Sequence, residues 1–530
     1  MADVPTTTSQ KVAGAAPSGT FARKSSGLIR QVSTTDAFFY GLNAITISYL
    51  TFILFMWTYY PGASVTWATV VTVLGSVAVG VVYALFAAVY PRSGGEYVFG
   101  SRVIHPLVGF LLSFSQGFWL LFYFGTNGAF MMIDGVAPMF GIIGLQTGNQ
   151  TLVNMGVWCG GKYGLFLGGT LAILFIGYMS WAGNKAYFLF QRYGMIVALT
   201  SCAIAIGVLC LGWAGMLHFS SIYNGLAGAG AYEKIAGSAK LPAFSATQTL
   251  YFMVWPAFAI LFSVGMVSFS GEIKEVRRGP LKAIVGSMTL VGIVFIVMYL
   301  AASNGVGAQF FYNAPAAAGS MPFYPVVQAF AAVLGNNWIL TIIVMLWVIL
   351  IQLFAMGTNV IYGSRAMFAW GIDGMAPKRF ATVSPNRYSP GFDIFILMIA
   401  AELILVMYCF TTIVTIISGL LVFSIVFLVI CLTGVVFPYI KKDVYEQSPA
   451  TIKVLGIPLM SICGTIGAIF CVFLLWRCFA DSTAGAIQAS SMYISLGVAV
   501  LSLAWYLGYR SYNLKKGVDI DKRYKEIPLE

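Results

Sequence analysis

The sequence predicts an all-α polytopic membrane protein with twelve transmembrane helices, and three observations predict it. Of 530 residues, 59% are apolar and only 9% are charged, a balance outside the range of water-soluble domains. Apolar runs of the roughly 20 residues needed to cross a ~30 Å hydrocarbon core recur along the chain. The basic residues also alternate in a way that gives every run a consistent orientation.

The expected spans are 36–59, 64–90, 107–133, 164–183, 190–217, 248–271, 282–304, 338–372, 391–410, 413–437, 454–479 and 486–510. The ninth and tenth are joined around Cys409–Thr412 with almost no polar break, so they are read as two spans, not as one helix too long for the bilayer. Residues 1–35, rich in Ser, Thr, Ala and Gly, lack the apolar core of a secretory signal and are expected to form a disordered cytoplasmic arm. Residues 36–510 form one transmembrane domain, and 511–530 a cytoplasmic tail. With the N-terminus inside, all Lys and Arg except Lys162, Lys234, Lys240 and Arg477 fall on the cytoplasmic side. This bias accounts for the net charge of +12 without a nucleic-acid partner. The linkers 134–163, 218–247 and 305–337 are then extracellular.

Catalysis and metal binding find little support. His105 and His218 are the two histidines, both near span ends, and the eight cysteines lie mostly in apolar runs without a CxxC pair. No cofactor is expected. No nucleophile, base and orienting group occur together, so the chain is not read as an enzyme.

Three stretches at cytoplasmic span ends carry more information. The first runs from Pro91 through Ser93-Gly94-Gly95-Glu96-Tyr97 to Arg102, followed by Pro106 and Gly109-Phe110; it is a helix stop followed by a glycine turn. The second is Gly271-Glu272-Ile273-Lys274-Glu275-Val276-Arg277-Arg278-Gly279-Pro280. The third runs from Ser364-Arg365 to Asp373-Gly374-Met375-Ala376-Pro377, with Phe380 and Ser389-Pro390 beyond. Together, and in this order, they resemble the amino acid-polyamine-organocation (APC) superfamily of transporters, and the amino acid permeases within it.

The resemblance implies a LeuT-type fold. Repeat one (36–217) and repeat two (248–437) would be related as 5+5 inverted repeats, with two peripheral C-terminal helices at 454–510. It also implies that the first and sixth spans break at mid-membrane, where loosened N–H and C=O groups hold the charged ends of a substrate. In the first span the corresponding stretch is Ala44, Ile45, Thr46, Ile47 and Ser48. Thr46 and Ser48 stand where the family has glycines, which leaves a continuous helix with two back-bonding hydroxyls as the alternative. In the sixth span the break falls at Phe262, Ser263, Val264 and Gly265, with Phe258 one turn earlier at the position of an aromatic gate, or as a packing aromatic. Tyr123 and Asn127 of the third span complete the expected substrate site. Ser115, Gln116 and Thr126 of that span, and Gln352, Thr358 and Asn359 of the eighth, are further polar candidates, with structural interhelical bonds as the alternative.

Phe354 and Ala355 occupy the eighth-span positions where sodium-coupled relatives carry hydroxyls, which disfavours sodium. Residues 193–217 lack the lysine of some proton-coupled relatives. Glu402 of the ninth span is assigned a structural or protonated role, Asp134 an interfacial one, and Arg477 and Asp481 an i, i+4 pair. The expected function is a secondary-active permease in the cell membrane that moves neutral amino acids by alternating access, with protons as the preferred coupling ion. The alternatives are a transporter of a nucleobase or other small organic amine and a non-transporting amino acid sensor.

Overall fold

The computed structural model describes residues 28–45, 53, 55–412, 419–484, 488–520 and 524. Eleven of its helices are long and apolar enough to cross a membrane. Helix α1 (Thr34–Ile45) opens the bundle and α2 (Val65–Val89) follows. After α3 (Glu96–Val103) come α4 (Pro106–Thr147), α5 (Gln150–Gly160), α6 (Lys162–Trp181) and α7 (Asn184–Trp213). The second half holds α8 (Ala246–Ser268), α9 (Gly279–Val306), α10 (Val327–Gly335), α11 (Trp338–Asp373), α12 (Gly391–Phe410) and α13 (Leu420–Ile440). Helices α14 (Leu459–Ala480) and α15 (Ala489–Lys515) close it.

The helix starts are written locally. Ser64, Asn149, Ser245 and Asn337 each accept a backbone N–H of the first turn. His105 does the same for α4, with Pro106 in the position where its missing N–H costs nothing. A two-residue turn, Leu455-Gly456, both at positive φ, links the short strands Lys453–Val454 and Ile457–Pro458 ahead of α14.

Two differences from the expected layout concern the linkers. The third span does not end at 133: α4 continues to Thr147 through a π-helical turn at Met132–Val136, and α5 fills most of the expected loop. The π turn frees the carbonyl of Asp134, and Gln328 of α10 donates to it at 3.0 Å. The linker 305–337 likewise folds inward, with Val327–Leu334 buried. Asp134 is tied to the bundle by Gln328, and by Gln352 at 3.4 Å. Helices α12 and α13 are separate, α12 ending at Phe410; the expected start of the tenth span at 413 lies outside the described residues. So do residues 46–52 and 54 of the first span.

Helix α1 lies at the centre, against α7, α9, α11 and the last turns of α8. Gly41 allows the approach: a Cβ there would stand 2.6 Å from Ser287 Oγ and 2.9 Å from Ser263 Oγ. Helix α14 packs on α2 and α13, and α15 packs on α4 with most of its surface outside the bundle.

Candidate functional site

The three sequence motifs meet at one end of the bundle. Glu272 accepts from Arg365 Nε at 2.9 Å, and Arg365 Nη2 donates to Asn184 Oδ1 at 2.6 Å, while the Asn184 amide also donates to Glu272. Arg365 and Glu272 are both 1% exposed. Arg102 pairs with Asp373 at 2.7 Å, and Arg192 with Asp36 at 2.7 Å. Residues 31 and 32, expected in the N-terminal arm, donate their N–H groups to the Glu272 carbonyl, and Lys274 donates back to Val32. Buried ion pairs of this kind hold register more than they add stability, because desolvation offsets much of the attraction.

Above this end lies a narrow cavity of about 20 Å³. It is lined by Tyr40 and Ala44 of α1, Gln116 and Leu120 of α4, Phe262, Val264 and Gly265 of α8, Thr358, Asn359 and Tyr362 of α11, and Phe427 of α13. Helix α8 changes character here. It is α-helical to Ile260 and wound as a 3₁₀ helix from Leu261 to Ser268. The expected weak point thus coincides with a change of winding, but the chain tightens there instead of opening, and its N–H and C=O groups stay largely engaged. The phenol of Tyr40 donates to the Thr358 carbonyl at 2.8 Å and so ties α1 to α11 across the cavity floor.

Of the residues expected at the site, Ala44, Phe262, Val264 and Gly265 line the cavity. Phe258 and Tyr123 stand behind Phe262, with ring centroids 4.9 and 6.1 Å from it, and Phe423 completes this aromatic wall at 4.7 Å. Ser263 points away and shares a hydrogen bond with Ser287 of α9, since successive residues of a tight helix cannot face the same side. Asn127 is buried two turns beyond Leu120 and does not reach the cavity. Thr46, Ile47 and Ser48 lie outside the described residues, as does the side chain of Ile45. Of the other candidates, Gln116, Thr358 and Asn359 line the cavity, whereas Thr126 bonds back to the Phe122 carbonyl. Phe354 packs on Phe190 of α7 with centroids 5.1 Å apart. Glu402 accepts from Thr170 at 2.6 Å, and Arg477 pairs with Asp481 at 2.7 Å, as expected.

Tyr40, Tyr362, Leu120 and Phe427 have no sequence signal of their own; each is one more apolar or aromatic residue in an apolar helix. Glu96 reads in sequence as part of a loop, yet it is fully buried. Its carboxylate accepts from Gln116 Nε2 at 3.2 Å and from the Tyr362 hydroxyl at 2.8 Å, both cavity-lining residues. The glycine pair before it explains the placement. Gly94 (φ 114°) and Gly95 (φ 50°) take conformations that L side chains rarely adopt. A Cβ on Gly94 would meet that of Ala369 at 2.7 Å, and one on Gly95 would meet Val267 Cγ2 at 3.0 Å. The turn fits between α8 and α11 and starts α3 with Glu96 facing inward.

A polytopic helical bundle with a central cavity between helices, one end locked by buried ion pairs, defines a membrane transporter more than an enzyme. The family model described as "Amino acid permease" matches residues 32–502, and the chain belongs to that family, within the APC superfamily. No curated protein matches the chain. Its class is therefore a multi-pass permease of amino acids.

Proposed function

We propose that this permease carries neutral amino acids by alternating access, with protons as the coupling ion, in the cell membrane and with both termini cytoplasmic. The observation that carries the substrate class is the cavity lining. It offers the hydroxyls of Tyr40, Thr358 and Tyr362 and the amides of Gln116 and Asn359, but no ionised side chain. A substrate with a charged side chain would lose its hydration there without a counter-charge in the first layer. A zwitterion instead needs donors for its carboxylate and acceptors for its ammonium, and the amides supply both. The aromatic wall of Phe262 and Phe427 favours an apolar side chain. The arrangement of α1 and α8 around the cavity supports a LeuT-type organisation with two five-helix repeats. The concentration of basic residues beside Glu272 and Arg365 supports a cytoplasmic location for that end.

The test is uptake of labelled leucine into proteoliposomes, with unlabelled alanine, leucine, phenylalanine, lysine, glutamate and adenine as competitors. The neutral amino acids are expected to compete. Competition by lysine or adenine alone would overturn the substrate class, and binding without uptake would indicate a sensor.

A further inference from the structure

We propose that Glu96 is the residue that carries the coupling proton and that it reports its protonation to the substrate through Gln116 and Tyr362. The inference rests on the reading of the cavity as the substrate site.

Three features set Glu96 apart from the other buried carboxylates on the described residues. Asp36, Glu272 and Asp373 are each held by an arginine, Glu402 accepts from Thr170, and Asp393 of α12 is without a hydrogen-bond partner among the described residues; none of these touches a residue that lines the cavity through a side-chain hydrogen bond. Among the described residues Glu96 has no ion-pair partner; its side-chain hydrogen bonds from Gln116 and Tyr362 come from neutral groups, and both of those groups line the cavity. It also sits on α3, outside the spans, at the end of the bundle where the motifs converge. The groups that surround it from each packed helix are Gln116 of α4, Tyr362 of α11, Tyr83 of α2 and Tyr40 of α1. Arg365 and Arg102, the cations of the neighbouring motifs, are engaged by Glu272 and Asp373.

The hydrogen-bond arithmetic gives protonation a consequence. An ionised Glu96 only accepts, so the Gln116 amide nitrogen and the Tyr362 hydroxyl both point toward it. Gln116 Oε1 then has no partner among the described residues and is available to a substrate ammonium. When a proton binds, an O–H bond forms on one carboxyl oxygen and that oxygen must donate. A half-turn of the Gln116 amide presents Oε1 to this new donor and turns the NH₂ toward the cavity, where it can meet a carboxylate. One proton thus exchanges an acceptor for a donor in the cavity wall. Burial also raises the Glu96 carboxyl from its ordinary 4.5 to about 7, against the lowering effect of the bonds from Tyr362 and Gln116, so the exchange falls in a physiological range.

The experiment uses the full chain in proteoliposomes, with labelled leucine. For one proton per substrate, each unit of pH gradient supports about a tenfold concentration ratio. Wild type is expected to accumulate leucine when the outside is acidic. Glu96→Gln, which keeps a neutral side chain of the same shape, is expected to lose that accumulation, its ratio falling to about one, while it still exchanges leucine in counterflow. Accumulation by Glu96→Gln in response to the pH gradient would overturn the proposal. If Glu96→Gln does not exchange at all, Tyr362→Phe decides. It removes one bond to the ionised carboxylate, so the pH midpoint of counterflow should rise; an unchanged midpoint overturns the proposal. Wild-type counterflow that ignores the pH gradient would also overturn it, and would leave the permease reading standing. Absence of counterflow with every amino acid would be a failure of that reading instead.

Discussion

Gly265 is the position at which the cavity can be altered with least disturbance to the fold. Its φ lies in the ordinary range, and a Cβ built on it would meet only Tyr40 Cε1, at 4.0 Å. Gly265→Ala therefore adds a methyl to the wall of this narrow cavity without backbone strain. A bulky substrate that fills this space should suffer the cost of overpacking, about 1–3 kcal/mol, which corresponds to a five- to 150-fold loss of apparent affinity. Alanine or glycine as substrate should change by no more than about twofold. The assay is the ratio of KM for labelled phenylalanine to KM for labelled alanine in proteoliposomes. Gly41→Ala is the matched control, because the same methyl there would stand 2.6 Å from Ser287 Oγ and 2.9 Å from Ser263 Oγ, where it disturbs packing and not the cavity. It should lower the unfolding temperature in detergent. An equal change in KM for large and small substrates in Gly265→Ala would refute the assignment of this wall to the substrate.

Further expectations follow from the surrounding contacts. Arg365→Ala leaves Glu272 buried without its cation and should cost about 3–5 kcal/mol of stability, seen as a lower unfolding temperature, which Glu272→Gln in the same chain should partly restore. Ser263→Ala removes a hydroxyl that faces Ser287 and not the cavity, so leucine KM should stay within about twofold while stability falls by about 1 kcal/mol. Glu96 has a folded pKa near 7, above its unfolded value of 4.5, so its contribution to stability is complete below 4.5 and is lost as pH rises through 7. Relative to wild type, Glu96→Gln should gain roughly 3 kcal/mol of stability above pH 8 and nearly nothing at or below about pH 4, read from unfolding across that range.

The helical membrane architecture was legible because hydrocarbon thickness and helix rise leave few ways to use an apolar run. Trp338–Asp373 and Gly391–Phe410 were placed within a residue or so. The Gln150–Gly160 and Val327–Gly335 helices were not, since both fall in segments whose composition resembles a loop and whose folding depends on the frame around them. At the site, Phe262, Val264 and Gly265 could be found because a weak helix has a local signature. Tyr40 and Tyr362 could not, because what distinguishes them is a partner some 270 to 320 residues away in sequence, Glu96 in one case and the Thr358 carbonyl in the other. Glu96 is the least legible of these residues. A carboxylate directly after two glycines looks like a solvated turn until the space on both sides of those glycines is known to be filled by Ala369 and Val267.

The central claim is that amino acids cross through the cavity bounded by Gly265. Counterflow of labelled leucine into liposomes preloaded with unlabelled leucine tests it most directly, comparing wild type with Gly265→Trp, whose indole would fill the space between α1, α8 and α11. Wild type should show a transient overshoot of label and Gly265→Trp none, with both proteins eluting as the same monodisperse species. A full overshoot in Gly265→Trp would mean that the substrate travels by another route.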